Sequence, residues 1–468
     1  MISLISIDDG LKKHFSTTLS AIIADLVHST IHKGIAVAYS GGLDSSVLLS
    51  LTVDFARERE IPVFALHVHH GLSIDADNWL THCQSVCKQA DITFTAIKVA
   101  ISNDNKLGIE AAARAERYGA LGAFCLEHQL PLILTAHHQD DQAETVLLQL
   151  LRGSGVAGLS GMDLFNHAPV LLRNSSVLLA RPLLTRRKQS LINYATKYNI
   201  DYVTDESNFD SRFVRNALRI KVMPMLAKIS QGYSDRLARS AMHAQTAQRL
   251  LQELAQLDLE NFLSKDGLDV LPLRQLSHER VENLLRFWLS TLSVRMPSTA
   301  RLAEIRSQIF EARDDAKITI CHDGLEIHRY KNKIVVSAQP SNLKPVVPIE
   351  FMWSGELFLH FPQFCGSLYF DISNYGVDAN WLQQQKLILK IRSGGERLKV
   401  ALNRPTRDLK SHFQSLNIPF WQRQHLPLLC VNEALLHASL VGTEASFCQH
   451  GEAKTLINFR WQAESKTH

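Results

Sequence analysis

Over residues 34–151 short apolar runs alternate with stretches of helical period, and this alternation constrains the fold more than any other feature of the chain. The apolar runs are 34–39, 61–68, 92–99 and 131–136; the helical stretches are 44–57, 79–90, 109–128 and 141–151. Strands that alternate with helices build a parallel sheet covered on both faces. The expected fold class is therefore α/β, a doubly wound parallel sheet. Such sheets bind ligands beyond the carboxyl ends of their strands.

The rest of the chain reads differently. Residues 217–263 are expected to be largely helical, and 265–340 mix a helix (279–290) with short strands (316–322 and 333–337). Asn-Leu-Lys-Pro-Val-Val-Pro at 342–348 reads as a linker. The strands expected at 387–392 and 426–431 indicate a separate small α+β unit. A length of 468 residues suits about three domains at roughly 150 residues each. The expected division is 1–220, 221–345 and 346–468: a catalytic α/β domain, a helical and α+β middle domain, and a small α+β C-terminal domain. The N-terminal ten residues have no basic stretch followed by a long apolar run, and no segment nears the ~20 uninterrupted apolar residues of a membrane span. The seven cysteines are scattered and odd in number, as in a reduced compartment. A cytoplasmic location is the expectation. Cys83 and Cys87 would share a helix face and read as packing.

Ser40-Gly41-Gly42-Leu43-Asp44-Ser45-Ser46 lies between the first strand and the first helix after it. Two glycines allow a tight turn that brings backbone N–H groups up to an anion. The helix start adds unpaired donors and the positive end of its dipole. Ser40 and Ser45 can add hydroxyls. A Walker A ending of Gly-Lys-Ser/Thr is missing, so no lysine stands over the phosphates. Asp44 beside such a loop would repel an anion unless a cation bridged them, which makes Mg²⁺ a sensible companion.

Asp141 and Glu144 are three apart on one helix face just beyond the fourth strand. With Asp44 they could surround Mg²⁺ or an ammonium group, and Asp140 should point elsewhere. His137 and His138 sit at the strand end within reach of a nucleotide. Arg114 and Arg117 share a helix, where one could meet a transferring phosphate or both could pair with Glu110 and Glu116. Gly153, Gly155, Gly158 and Gly161 with Arg152 suggest a flexible lid or clamp. Charge is uneven: residues 181–250 hold thirteen basic and five acidic residues, net +8, so the overall +4 leaves −4 elsewhere. Local basic concentration of this kind serves phosphate contacts. A second basic group includes Arg397, Arg404, Arg407 and Lys410, with Trp421 and Arg423 nearby.

The Ser40–Ser46 segment resembles the loop of PP-loop ATPases, with their adenine nucleotide alpha hydrolase-like fold, which cleave ATP between the α and β phosphates. Four further segments narrow the resemblance: Gly108-Ile-Glu-Ala-Ala-Ala-Arg-Ala-Glu-Arg-Tyr118, Thr135-Ala-His-His-Gln-Asp-Asp-Gln-Ala-Glu-Thr145, Leu150 to Met162 with Arg181-Pro-Leu-Leu after it, and Asp205 to Arg219. In this order they resemble the bacterial tRNA(Ile)-lysidine synthetases, and the later regions resemble that family's accessory tRNA-binding domains. The resemblance implies that ATP adenylates C2 of the wobble cytidine in a CAU anticodon and that free L-lysine then displaces AMP. It also implies a switch of the tRNA from methionine to isoleucine identity. The implied catalytic residues are Asp44, Arg114, Asp141 and Glu144, with Asp44 and Asp141 on Mg²⁺. The implied ATP contacts are Ser40, Gly41, Gly42, Leu43, Asp44, Ser45, His67, Val68 and His137. Arg186, Arg187, Arg215, Asn216, Arg219, Arg397, Arg407 and Lys410 are the expected tRNA contacts. A homodimer is compatible with this reading.

Sulfur-transferring relatives usually need a Cys-X-X-Cys pair or a catalytic cysteine, and the chain has no Cys-X-X-Cys. An amidotransferase would need a glutaminase nucleophile, and residue 2 is Ile. A non-enzymatic RNA-binding protein on the same fold would have no use for the three carboxylates.

Overall fold

The computed structural model describes residues 5–26, 31–69, 71, 75–100, 109–205, 212, 214–265, 267–292, 294–313, 316, 318–339, 347–450 and 455–464. Most of the linker expected at 342–348, and residues 206–211 and 213 of the last motif, lie outside that set. The chain divides into two compact units, 1–256 and 257–468.

The first unit begins with α1 (Ile5–Asp25), then β1 (Ile35–Ala38), α2 (Leu43–Arg57), β2 (Val63–His69), α3 (Ala76–Gln89), β3 (Thr93–Lys98), α4 (Ile109–Glu127), β4 (Leu132–Leu134) and α5 (Gln139–Leu151). There follow α6 (Val156–Leu159), β5 (Phe165–His167), α7 (Pro169–Leu172), β6 (Leu178–Ala180), α8 (Lys188–Lys197), α9 (Val214–Ala217), a π-helical turn (Leu218–Val222), α10 (Met223–Ile229) and α11 (Tyr233–Phe262). The sheet order is β3-β2-β1-β4-β6-β5. Every pairing is parallel except that of the edge strand β5 with β6. The expected doubly wound α/β sheet is therefore present, with an antiparallel edge.

Alternation along the central strands assigns the faces. Ile35 and Val37 of β1 and Leu132 and Leu134 of β4 join a core with Leu11, Phe15, Leu19 and Ile22 of α1, Val47 and Leu51 of α2, Cys83 and Cys87 of α3, and Tyr194 of α8. Ala36 and Ile133 point the other way, onto Tyr118, Leu121 and Cys125 of α4 and Leu172 of α7. Helices on both faces explain why these strands are uniformly apolar. Gly122 of α4 is a close approach: a Cβ there would lie 1.9 Å from the Leu172 carbonyl oxygen. Burial pushes the Cys83 thiol up to about 12 and Cys87 up to about 11, as suits packing residues.

In the second unit, helices His278–Thr291 and Thr299–Glu311 are capped by Ser277 and Ser298, whose side chains accept from Arg280 N and Arg301 N. They pack Leu284, Leu285, Leu302 and Ile305 with Ile320, Ile327 and Ile334 of an antiparallel sheet. Two further five-stranded sheets within 349–463 share a core that includes Trp353, Phe370, Leu389 and Phe459. No helix among the described residues is long and apolar enough to cross a membrane.

Candidate active site

Sheet order places the site. β1 pairs with β2 on one side and β4 on the other. The strand order reverses between β1 and β4, and such a switch point opens a crevice at their carboxyl ends. The loop 39–42 leaves β1 and the segment 135–138 leaves β4.

Gly41 has φ +82°, and a Cβ there would lie 2.7 Å from Cys83 Sγ and 3.2 Å from Val203 Cγ2. Its carbonyl accepts from Val203 N at 2.9 Å, anchoring the turn. Gly42 is the N-cap of α2 with extended backbone (φ −74°, ψ 165°), and among the described residues no side chain caps this helix. The hydroxyls are internal struts: Ser40 Oγ and Ser45 Oγ are 3.0 Å apart, Ser45 Oγ donates to Gly42 O at 3.0 Å, and Ser46 Oγ donates to Gly41 O at 3.3 Å. The first-turn N–H groups, with Leu43 and Asp44 leading the helix, remain for an anion.

Across the crevice, α5 starts in the opposite manner. His138 is its N-cap: His138 Nδ1 accepts from Asp141 N at 3.3 Å, and Asp141 Oδ2 accepts from His138 N at 3.1 Å, a reciprocal capping box. An imidazole accepting at Nδ1 carries its proton on Nε2, which lies 3.5 Å from Asp141 Oδ2 and 3.7 Å from Asp44 Oδ2. Burial works against charge on His138, but Asp44, Asp141 and Asp140 outweigh it and raise its pKa. Burial likewise opposes charge on Asp141, but His138 and Arg215 hold its carboxyl below the usual range. His137 bonds Thr135 Oγ1 at 3.0 Å, and burial pushes it down to about 3.

Glu144 is 1 % exposed and faces two guanidiniums. Arg219 Nε donates to Oε1 at 2.6 Å and its Nη2 to Oε2 at 3.0 Å, while Arg215 Nε donates to Oε2 at 3.0 Å. Arg219 Nη2 also reaches Asp141 Oδ1 at 3.2 Å. Burial lowers the Arg219 pKa, but its bonds to Glu144 outweigh that and raise it. Asp140 does not point away. It stands four residues before Glu144 on α5, and its Oδ2 accepts from Lys188 N at 2.8 Å at the start of α8. His138, Asp140, Glu144, Lys188 and Arg219 line a cavity of about 220 Å³, with Met223, Pro224, Ala227 and Tyr233 as its less polar wall.

Asp44 Oδ1 is buried without a hydrogen-bond partner among the described residues. Asp44 Oδ2 has Lys188 Nζ at 3.8 Å. An orphaned carboxylate oxygen beside an anion cradle suits a divalent cation. Asp141 has both oxygens engaged, and no cluster of three or more His, Cys, Asp or Glu among the described residues forms a ready-made metal site.

The other expected residues are spread over several elements. His67 is buried at the end of β2, its Nδ1 3.1 Å from Tyr39 O, with Val68 next to it. The Arg114 guanidinium lies 4.9 Å from the Tyr118 ring centroid and that of Arg117 5.3 Å, whereas Glu116 pairs with Arg173 on the surface. Arg187 pairs with Asp235, which also accepts from Gln139 Nε2 at 2.9 Å. The Arg186 carbonyl accepts from Gln139 N at 2.8 Å, which ties it to the start of α5. Asn216 follows Arg215 on α9, and Arg219 lies in the π-helical turn after it. Arg181 is buried and donates to Asp163 O and Asn166 Oδ1 at 2.8 and 3.0 Å. Part of the +8 is thus internal structure. The glycine-rich segment is tied down: Gln142 and Gln245 both donate to Met162 O at 2.9 Å, and Gln142 Oε1 accepts from Met162 N.

In the second unit, Arg397 and Arg407 are exposed on a two-stranded ladder, and Lys410 is exposed on the helix that follows. Trp421 stacks on His328 at 3.9 Å, and the buried Arg423 donates to Ile418 O.

Comparison with known proteins identifies the family. Residues 11–226 match the family model described as a PP-loop domain, 268–335 the TilS substrate binding domain, and 387–461 the TilS substrate C-terminal domain. A protein of Nitrosomonas europaea named tRNA(Ile)-lysidine synthase is 36% identical over 428 residues, 91% of each chain. Proteins of the same name from Burkholderia pseudomallei and Coxiella burnetii are 38% and 35% identical, covering 87% and 91% of this chain and 88% and 92% of their own.

Proposed function

Because the chain belongs to the tRNA(Ile)-lysidine synthase family, an ATP-dependent ligase family acting on tRNA, we propose that the β1–β4 crevice holds ATP, the wobble cytidine and free L-lysine together. The observation that carries this is the pairing of an uncapped helix start with a carboxylate-lined cavity at one switch point. The ATP phosphates lie on the N–H groups of the Ser40–Ser45 turn and the start of α2. The adenine edge lies by His67 and Val68, and His137 stands beside the nucleotide as a neutral imidazole.

In the first step the cytidine O2 attacks the α-phosphorus. A new O–P bond forms, and the bond to the β-phosphate oxygen breaks, releasing pyrophosphate. Arg114 meets the charge that develops on the transferring phosphoryl oxygens. In the second step the ε-amine of lysine attacks C2, and the C2–O2 bond breaks to release AMP. An ammonium with a pKa of about 10.4 must first lose a proton, and Glu144 or Asp141 is placed to accept it. Mg²⁺ would suit Asp44, whose Oδ1 has no hydrogen-bond partner among the described residues; bound there it would neutralise charge on the phosphates.

Residues 1–220 carry the chemistry, with Met223 to Tyr233 completing the cavity wall, while 221–345 and 346–468 hold the tRNA, with Arg397, Arg407 and Lys410 on its backbone. Purified protein with ATP, Mg²⁺, labelled lysine and isoleucine tRNA bearing a CAU anticodon should yield labelled tRNA. Normal ATP and tRNA binding without incorporation would overturn the reading.

A further inference from the structure

Arg215 and Arg219 lie at the boundary of two otherwise separate requirements. Their heads reach carboxylates that are mostly buried: the Glu144 and Asp141 side chains are 2% and 12% exposed, those of Arg215 and Arg219 30% and 34%. Both guanidiniums bond Glu144, and both approach Asp141 Oδ1, Arg219 at 3.2 Å and Arg215 at 3.7 Å. A lysine ammonium brings three donors and a single charge and needs the same oxygens. The two sets of donors exclude one another.

Moving the arginines away without replacement leaves a buried, uncompensated charge on Glu144, which is strongly unfavourable. Introducing an ammonium while the arginines stay crowds three cations onto two carboxylates. The exchange becomes favourable when a cation arrives as the guanidiniums find another anion, and a phosphate accepts the arginine fork in two bonds.

Resting on the reading that the lysine amine meets Glu144 and Asp141, we propose that Arg215 and Arg219 couple tRNA binding to lysine binding. Phosphates of the tRNA draw the two guanidiniums off the carboxylates and so open them to lysine. By linkage, bound lysine releases the arginines and strengthens tRNA binding by the same factor. The pair determines the order of assembly: amine is held weakly until the polyanion is present.

The test measures labelled L-lysine on the full chain by equilibrium dialysis without ATP, with and without isoleucine tRNA bearing a CAU anticodon. Wild type should bind lysine about tenfold more tightly with tRNA, within the usual range of coupling. Arg219→Gln and the Arg215→Gln/Arg219→Gln pair should bind lysine without tRNA as tightly as wild type does with it, and tRNA should add little further. An undiminished tRNA effect in the variants, or weaker lysine binding in variants that melt at the wild-type temperature, would overturn the coupling. Should the glutamine variants melt early, Arg219→Lys serves in their place: a reduced tRNA effect supports the proposal and a full one overturns it. Incorporation of lysine by wild type with no tRNA effect on lysine binding removes the coupling alone. Absence of incorporation removes the functional reading, and the coupling with it.

Discussion

Two helices begin side by side at the crevice, and their first turns are finished in opposite ways. α2 starts at Gly42 with no side chain on its N–H groups among the described residues, whereas α5 starts at His138 with both bonds of a capping box. Each helix start carries the same orphan donors and the same positive dipole end. The difference teaches what each end is for. The open end retains its donors for an anion. The closed end uses its first turn to fix Asp141, and Glu144 one turn later, as acceptors for cations.

The largest test removes the group between them. Asp44→Ala should lower lysine incorporation by a factor on the order of 10³, as loss of a directly placed electrostatic group does, with tRNA affinity in filter binding nearly unchanged. A parallel loss of tRNA affinity would make Asp44 a structural residue. The next makes the open end resemble the closed one. Gly42→Ser has cap-like backbone already, and its Cβ would find nothing nearer than 3.7 Å. A hydroxyl on the N2 or N3 amide removes one charge-assisted bond to phosphate, worth about 1.5–3 kcal/mol. The KM for ATP should therefore rise about tenfold or more, while the melting temperature holds or rises slightly. An unchanged KM would break the comparison.

The converse opens the closed end. His138→Ala should cost about 1 kcal/mol, the usual worth of an N-cap, read as a lower denaturant midpoint at constant slope. The smallest effect separates the adjacent histidines. His137 is held down to about 3 by burial, so between its ordinary pKa near 6.5 and that value the unfolded chain binds a proton that the folded one refuses. Stability must then fall as pH drops through that window. His137→Asn should flatten that part of the profile between pH 7 and pH 5, and identical profiles would show that His137 is not sealed from protons.

Most of the scaffold could be read from residue order because each part rests on local periodicity. The first four strands and their helices fall within a few residues of where apolar spacing puts them. The loop at 40–46 announces itself through Gly-Gly and the Asp-Ser that follows. α1 escaped that reading: Leu11, Phe15, Leu19 and Ile22 stand at helical intervals, but the polar residues between them masked the stripe. The edge strand β5, three residues long, is too short for any period to register.

At the site, distance in the chain was the obstacle. Arg215 and Arg219 follow Glu144 by 71 and 75 residues, and nothing local marks them as its partners. Their basic character suggested tRNA contact without showing what holds them in the meantime. The His138 cap was hidden for another reason: histidine is not among the side chains that ordinarily signal a helix start. Asp140 illustrates the limit of adjacency arguments, because its place opposite α8 depends on a fold that brings Lys188 N to it.

The π-helical turn between α9 and α10 has a mechanical consequence. Met223 N–H bonds back five residues to Leu218 O, so the turn holds one residue more than an α-helix would. Relaxing it to α geometry would shift the register of one flank by a single position, about 100° of rotation and 1.5 Å of travel. Arg215 lies before this turn and Arg219 within it, so the shift would swing the two guanidiniums apart while both flanks stayed helical.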